Sequence, residues 1–267
     1  ALHGCPIPAD DLARRQRPAE IVARHAGALA RRYQADLSTL DVRLKGPQDV
    51  VTEADGAVER SIVSGLSAAF PGDAFLGEEG GGSPGNRCWV VDPIDGTANF
   101  SRGLPHWCVS IAFVAAGRSE IGVIYDPAAD HLYSARRGAG ATRNDVPIRV
   151  GTTRDLAHAT VDAGYSHRTS GADFGKLIER LLIAGVNVTQ SGSAALGLAR
   201  VADGRLDGYV ERHLYAWDAL AGLLLVEEAG GRVNEFLEGN SLTAGNETVA
   251  ATPALYAALV AASRFTG

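Results

Sequence analysis

Four apolar runs rich in β-branched and aromatic residues follow one another in the first half of the chain. They are CWVVD (Cys88 to Asp92), VSIAFVAAG (Val109 to Gly117), EIGVIYDP (Glu120 to Pro127) and HLYSARRG (His131 to Gly138). Gly, Pro or Asp turns separate them, so they are expected to form a mixed or antiparallel sheet. After Val150 the pattern changes. Helical segments near Phe174–Ala184, Ser193–Asp203, Trp217–Ala229 and Pro253–Ser263 alternate with short strands near Val186–Thr189, Leu206–Val210 and Arg232–Asn234. That alternation indicates a layered α/β fold.

Ahead of the sheet, residues 1–17 read as a loose extension. A helix is expected from Pro18, a good first-turn residue, to about Tyr33, with Ile21, Val22, His25, Leu29 and Tyr33 at helical spacing. VVTEADGAVERSIVSGLSAAF reads as a second helix. There Thr52 and Asp55 resemble a capping box, and Val58, Ile62, Leu66 and Phe70 form its buried stripe. A short strand, Ala74 to Leu76, then leads into GEEGGGSPG, which the glycines mark as a loop. The chain divides into 1–17, an α+β half over 18–150 and an α/β half over 151–267, the two halves forming one continuous unit.

The 267 residues suffice for a substantial core, and 46% hydrophobic with 21% charged residues is ordinary for a soluble globular protein, which suits a cytoplasmic location. A net charge of −6 gives no reason to expect nucleic acid as the main partner. No apolar stretch approaches a membrane span, and the N-terminus lacks the apolar middle of a secretory signal. Cys5, Cys88 and Cys108 are odd in number and lack metal-ligand spacing, so reduced thiols are expected, with Cys88 and Cys108 in the core.

The chemistry concentrates where the first run ends, in WVVDPIDGTANF. Trp89, Val90 and Val91 form a buried strand, and a residue before proline is pushed to extended geometry, so Asp92 continues it. Pro93 forces a turn and Ile94 offers a backbone carbonyl. Asp95 is placed to cap a short helix whose first turn is Gly96-Thr97 and whose end is Gly103. Taken singly, Asp92 reads as a turn residue and Asp95 as a cap. The whole string suits a phosphate bridged by cations: hard oxygen ligands hold Mg²⁺, helix-terminal N–H groups attract phosphate, and Gly96 leaves it room. Glu78 and Glu79 follow another strand, and at most one can easily join such a cluster because neighbouring strand residues point opposite ways. Asp218 opens a helix after Trp217, where a cap role is the alternative. Together Glu78, Asp92, Asp95 and Asp218 make a tetra-anionic pocket that needs cations.

GEEG, WVVDPIDGTANF and WDALAGLLLVEEAGG, in that order, resemble the inositol monophosphatase family, a branch of the Mg²⁺-dependent, lithium-sensitive phosphatases that includes fructose-1,6-bisphosphatase. LKGPQDVVTEAD matches the family's N-terminal segment. The resemblance runs from about Arg43 to Gly231 and implies an alternating α-β-α-β-α sandwich. It further implies two to three Mg²⁺ ions, with Mn²⁺ as a substitute. Glu78, Asp92 and the Ile94 carbonyl would hold the first ion, and Asp92, Asp95 and Asp218 the second. A third, weaker ion would use Glu78. Gly96 and Thr97 would cradle the phosphate, and Glu78 and Thr97 would orient the attacking water, with Asp55 tuning Thr97. Lys45 would stand near that water.

By the same resemblance Glu211 would read inositol hydroxyls, and Gly192, Ser193 and Ala194 would lie beside the ring, with Ser193 bonding a hydroxyl. A carboxylate can accept from two vicinal hydroxyls; an exposed strand-end charge is the alternative. Phosphoryl transfer needs positioning and charge neutralisation more than covalent help, which cations supply. The implied activity is hydrolysis of myo-inositol monophosphate or a similar small polyol phosphate. Histidinol phosphate, 3′-phosphoadenosine 5′-phosphate or fructose-1,6-bisphosphate are alternative substrates. A non-catalytic regulatory partner is a different class, and a metal-independent glycosidase a third. A homodimer is implied by resemblance alone. His25 reads as a packed residue, His106 as part of a loop, and Arg136-Arg137, Arg212 and His213 as surface.

Overall fold

Residues 7–36, 42–46, 49–166 and 168–264 are described by a computed structural model, the side chains of 42–46 and 49–52 excepted. The first half runs α1 (Ala9–Ala35), β1 (Val42–Gly46), β2 (Asp49–Thr52), α2 (Glu53–Ala69), β3 (Ala74–Gly77), β4 (Gly81–Gly82) and β5 (Arg87–Asp95). It continues with α3 (Thr97–Phe100), β6 (Cys108–Ala115), β7 (Arg118–Asp126), β8 (His131–Arg136), β9 (Ala141–Arg143) and β10 (Val146–Pro147). The second half holds β11 (Thr160–Ala163), α4 (Gly171–Ile183), β12 (Asn187–Thr189), α5 (Ala194–Ala202), β13 (Gly208–Leu214) and α6 (Ala216–Glu228). It ends with β14 (Arg232–Val233), α7 (Ser241–Ala244), β15 (Asn246–Ala251) and α8 (Tyr256–Ser263).

The four apolar runs pair antiparallel in chain order as β5 to β8, inside an eight-stranded sheet ordered β10-β9-β8-β7-β6-β5-β3-β4. Only β3 to β5 is parallel within that group, so the sheet is mixed. Side chains alternate across a strand, and here both faces are covered, which is why the runs read as nearly continuous apolar stretches. Trp89, Val91, Ile111, Phe113 and Val123 pack against α1 and α2. Cys88, Val90, Ala112, Val114 and Ile124 pack against α5 and α6. The far side of α5 and α6 meets a five-stranded sheet ordered β12-β11-β13-β15-β14. Its outer face, Val161, Val210, Val249 and Ala251, is covered by α4 and α8. The layers are therefore α-β-α-β-α.

Several local expectations are corrected. The first helix starts at Ala9 and carries Pro18 in its interior. An interior proline costs on the order of 3 kcal/mol, and tertiary anchoring of the preceding turns offsets it. Leu12 and Arg15 are buried, and Arg15 ion-pairs with Asp11 and Asp73 while its guanidinium lies 4.6 Å above Phe70 and 5.0 Å from Phe113. The face that packs is also rotated from Ile21 and His25, both exposed, to Ala19, Ala23, Ala26 and Ala30. A Cβ on Gly27 would stand 2.5 Å from the Tyr125 ring, so this helix sits too close to the sheet for large side chains. Val50 to Thr52 extend as β2 instead of opening α2. The Thr52 side chain of the expected capping pair lies outside the described residues. Gly81–Gly82 pair with β3, so the glycine-rich segment contains a small hairpin.

No helix among the described residues is long and apolar enough to cross a membrane.

Candidate metal and phosphate site

Residues three apart on a regular strand point to opposite faces, yet Asp92 and Asp95 converge. The reason is the ladder: Asp92 faces Ser110 and Asp95 faces Cys108, so β5 spends one more residue than β6 over that interval. This is a β-bulge. Pro93, which lacks an N–H, falls inside it, where a missing ladder donor is tolerated. The Ile94 amide donates to Asp92 Oδ1 at 2.9 Å and closes the bulge. Gly96 follows with φ 97°, and a Cβ there would lie 2.8 Å from the His106 carbonyl oxygen and 3.1 Å from that of Gly192. Gly96 itself caps α3, so the expected capping of that helix by Asp95 does not occur.

Asp95 caps another helix instead. Its carboxylate accepts from Ser193 Oγ at 2.6 Å, Ala195 N at 2.7 Å and Ala194 N at 3.3 Å, the start of α5 in the other half of the molecule. The Ser193 hydroxyl thereby directs its proton to Asp95, which leaves its oxygen to act as an acceptor. Asp218 sits in the first turn of α6 and accepts from Tyr215 N at 3.2 Å, so it is a cap and a site residue at once. One carboxylate oxygen from each of Asp92, Asp95 and Asp218 lies within 4.8 Å of the others.

Burial drives their electrostatics. Asp92 is pushed well above the usual carboxylate range by burial, then by the charges of Glu78, Asp95 and Asp218. Asp218 rises to about 7, first by burial and then by the Asp95 charge. Asp95 is raised by burial, opposed by its bonds from Ser193, Ala195 and Ala194. Three carboxylates so placed repel one another unless positive charge enters. Their all-oxygen donor set fits a hard divalent cation. Glu78 lines the same cavity, of about 170 Å³, together with Ile94, Gly96, Thr97, Gly192 and Ala194. Thr97 Oγ lies 3.1 Å from Asp55 Oδ1 and 2.9 Å from the Ile94 carbonyl oxygen, one proton facing two acceptors. Asp55 is buried.

Glu211 also lines the cavity, and it is buried rather than an exposed strand end. Burial raises it to about 8 even though the Tyr209 hydroxyl, 2.6 Å away, donates to it. Lys45 falls on β1, whose side chains lie outside the described residues.

Three supports escaped the sequence reading. Glu59 on α2 accepts the Glu79 and Gly80 amides at 2.9 and 2.6 Å and so fixes the turn that carries Glu78. It lies four residues after Asp55, on the same helix face, which was a usable signal. Asp162, buried at the end of β11, accepts from Ser191 N at 2.9 Å and from Ser191 Oγ, anchoring the loop into α5. Asn99 donates to the His106 and Ser191 carbonyls at 2.8 and 2.9 Å, tying the DPIDGTANF segment to that loop.

Comparison with known proteins gives one family. The inositol monophosphatase family model matches residues 11–266. The inositol-1-monophosphatase of Rhizobium meliloti (strain 1021) is 42% identical over 242 residues, 86% of this chain and 91% of that relative. The Nus factor SuhB of Xylella fastidiosa is 44% identical over 217 residues, 80% of this chain and 79% of its own. The crystal structure of extragenic suppressor protein SuhB from Bartonella henselae superposes with a TM-score of 0.87 at 36% identity, covering 94% of this chain and 98% of that one.

Proposed function

The chain belongs to the inositol monophosphatase family, and we propose that it is a Mg²⁺-dependent phosphomonoesterase acting on myo-inositol monophosphate or a similar small polyol phosphate. The observation that carries this reading is the convergence of Asp92, Asp95 and Asp218 within 4.8 Å beside the left-handed Gly96. Glu78, Asp92, the Ile94 carbonyl, Asp95 and Asp218 would hold two to three Mg²⁺ ions, or Mn²⁺ in their place. Such cations supply Lewis acidity, activating water and neutralising charge on the phosphate and leaving oxygen.

The chain's own residues would do the rest. Thr97 would donate its hydroxyl hydrogen bond to Asp55 and turn its lone pairs to accept from the attacking water. Glu78 would accept from the same water. Gly96, without a Cβ, would let phosphate reach the backbone. Glu211 would accept from polyol hydroxyls, its own donor being Tyr209. Ser193, Ala194 and Ala195 would keep Asp95 ionised and aimed into the cleft.

The test is phosphate release from a panel of inositol, histidinol, fructose and nucleotide phosphates, with and without Mg²⁺. Release from a polyol monophosphate that stops with EDTA and returns with Mg²⁺ is expected. Activity surviving chelation overturns the cation assignment. A second reading, a non-catalytic regulatory partner, draws support from the relative named as a Nus factor. A cell phenotype left intact by Asp95→Asn would favour it. We further propose a homodimer, by family resemblance, and light scattering at monomer mass would refute that.

A further inference from the structure

Strand pairing gathers polar side chains on one face of the second sheet. β11 runs parallel to β13 with Asp162 facing Tyr209, and β13 runs antiparallel to β15 with Glu211 facing Thr248. Residues paired in this way, and residues two apart on one strand, share a face. Asp162, Tyr209, Glu211 and Thr248 therefore stand together, all buried, in a sheet whose other face is apolar. The first three line the cleft.

Two hydroxyls of this face stand beside Glu211, and one of them bonds it. The Tyr209 hydroxyl donates to Glu211 Oε2 at 2.6 Å. Thr248 Oγ1, on the strand across from Glu211, has no hydrogen-bond partner among the described residues. Among the described residues Tyr209 is also the one donor to Glu211, which leaves the second carboxylate oxygen for a substrate hydroxyl. Two glycines make room for the pair. A Cβ on Gly164 would collide with Glu211 Oε2 and with the Tyr209 hydroxyl oxygen, and a Cβ on Gly197 would lie 2.7 Å from Tyr209 Cδ2. Gly197 belongs to α5, whose start holds Asp95. The Tyr209 ring is thus wedged between the end of β11 and the helix that aims Asp95, with its hydroxyl on Glu211.

We propose that Tyr209 is a specificity-determining positioning residue, whose hydroxyl holds Glu211 so that one carboxylate oxygen meets a substrate hydroxyl at a spacing from Asp95 fixed through α5. This rests on the phosphomonoesterase reading and on Glu211 as the polyol contact. A carboxylate held in place before substrate arrives loses less side-chain entropy on binding. Phosphate esters with a hydroxyl at that spacing are selected over esters without one.

The test is the ratio of kcat/KM for myo-inositol 1-phosphate to that for p-nitrophenyl phosphate, an ester without a free hydroxyl on its ring. Y209F keeps the ring and loses the hydroxyl, and it is expected to lower that ratio about five- to tenfold through KM for the inositol ester. T248V removes the hydroxyl that bonds nothing and should hold the ratio within about twofold. In E211A nothing is left to orient, so adding Y209F should change the ratio by less than about twofold. The proposal is overturned by an equal fall for both esters in Y209F, by an unmoved ratio, or by a fall as large in the E211A background as in the native protein. A T248V loss matching that of Y209F overturns it too. Should Y209F yield no folded protein, G164A, whose added methyl displaces Glu211 Oε2, is expected to give the same selective fall, and an unmoved ratio there is the contrary result. If neither ester is cleaved, calorimetric titration of myo-inositol 1-phosphate with Mg²⁺ present decides. Binding weakened about five- to tenfold in Y209F leaves the Tyr209 role standing while the phosphatase reading falls. Equal binding, or none to the native protein, overturns both.

Discussion

At the carboxylate end of the cleft, Asp92 and Asp95 are 2% and 7% exposed, and Asp95 alone accepts three hydrogen bonds from α5. At the other end, Tyr165 is 40% exposed, and Arg168 is held by a ring face. The first end is fixed by buried polar groups, where a lost partner is expensive. The second is made of exposed side chains whose replacement disturbs little around them. The two ends thus differ in rigidity, and substitutions at them have different expected consequences.

The largest effect is expected for Asp95→Asn. It removes one charge of the trio and turns an acceptor of three donors into an amide, and phosphate release should fall on the order of 10³-fold. A fall of only a few-fold would mean the closed end is not where the reaction happens. Next comes Glu59→Ala, a position outside the cleft lining whose loss frees the Glu79 and Gly80 amides. The Mg²⁺ concentration giving half-maximal activity should rise about 10- to 100-fold, and the Mg²⁺-induced gain in Tm should shrink with it. Glu59→Gln, which retains one acceptor oxygen, should recover part of both.

A smaller effect concerns the cation-free protein. Glu211 moves from an ordinary 4.5 to about 8, and Asp218 from 3.8 to about 7, so both bind protons more tightly folded than unfolded. Stability is then fully present below the unfolded values and is lost as pH rises toward 7–8. A drop in Tm of about 2–4 °C per kcal/mol lost is expected across that window, and added Mg²⁺ should suppress it. A Tm flat from pH 5 to 8 without cation would show that the closed end is not electrostatically strained. The smallest effect is expected for Tyr165→Ala. At the open end it should shift KM a few-fold and leave kcat within about twofold. A collapse of kcat would erase the contrast between the two ends.

Much of this was legible in the chain, for physical reasons. Continuous apolar runs bounded by turn residues gave β5 to β8, and the alternation of helical segments with short strands after Val150 gave α4, α5 and α6 with ends close to those found. The Asp92–Asp95 string was recognisable as chemistry. The way it works was not, because a one-residue bulge is a property of the pairing with β6 and leaves no mark in β5 alone. Likewise, the cap that Asp95 provides to α5 spans roughly a hundred residues of chain, and local spacing cannot show it. The start of α1 was misplaced because Pro18 is a strong local signal, whereas the burial of Arg15 against Asp73 and Phe113 is tertiary. Arg168 has no helical or strand periodicity to expose it, and only the fold brings it to the cleft.

The bond from Asp95 to the start of α5 joins a strand of the eight-stranded sheet to a helix of the second half. During synthesis, a chain whose ribosome has passed Asp95 but not Ala195 holds two of the three clustered carboxylates, and the helix start that aims Asp95 does not yet exist. Asp218 is later still. The carboxylate trio is therefore complete only in a chain extended past Asp218, and no shorter nascent form holds it.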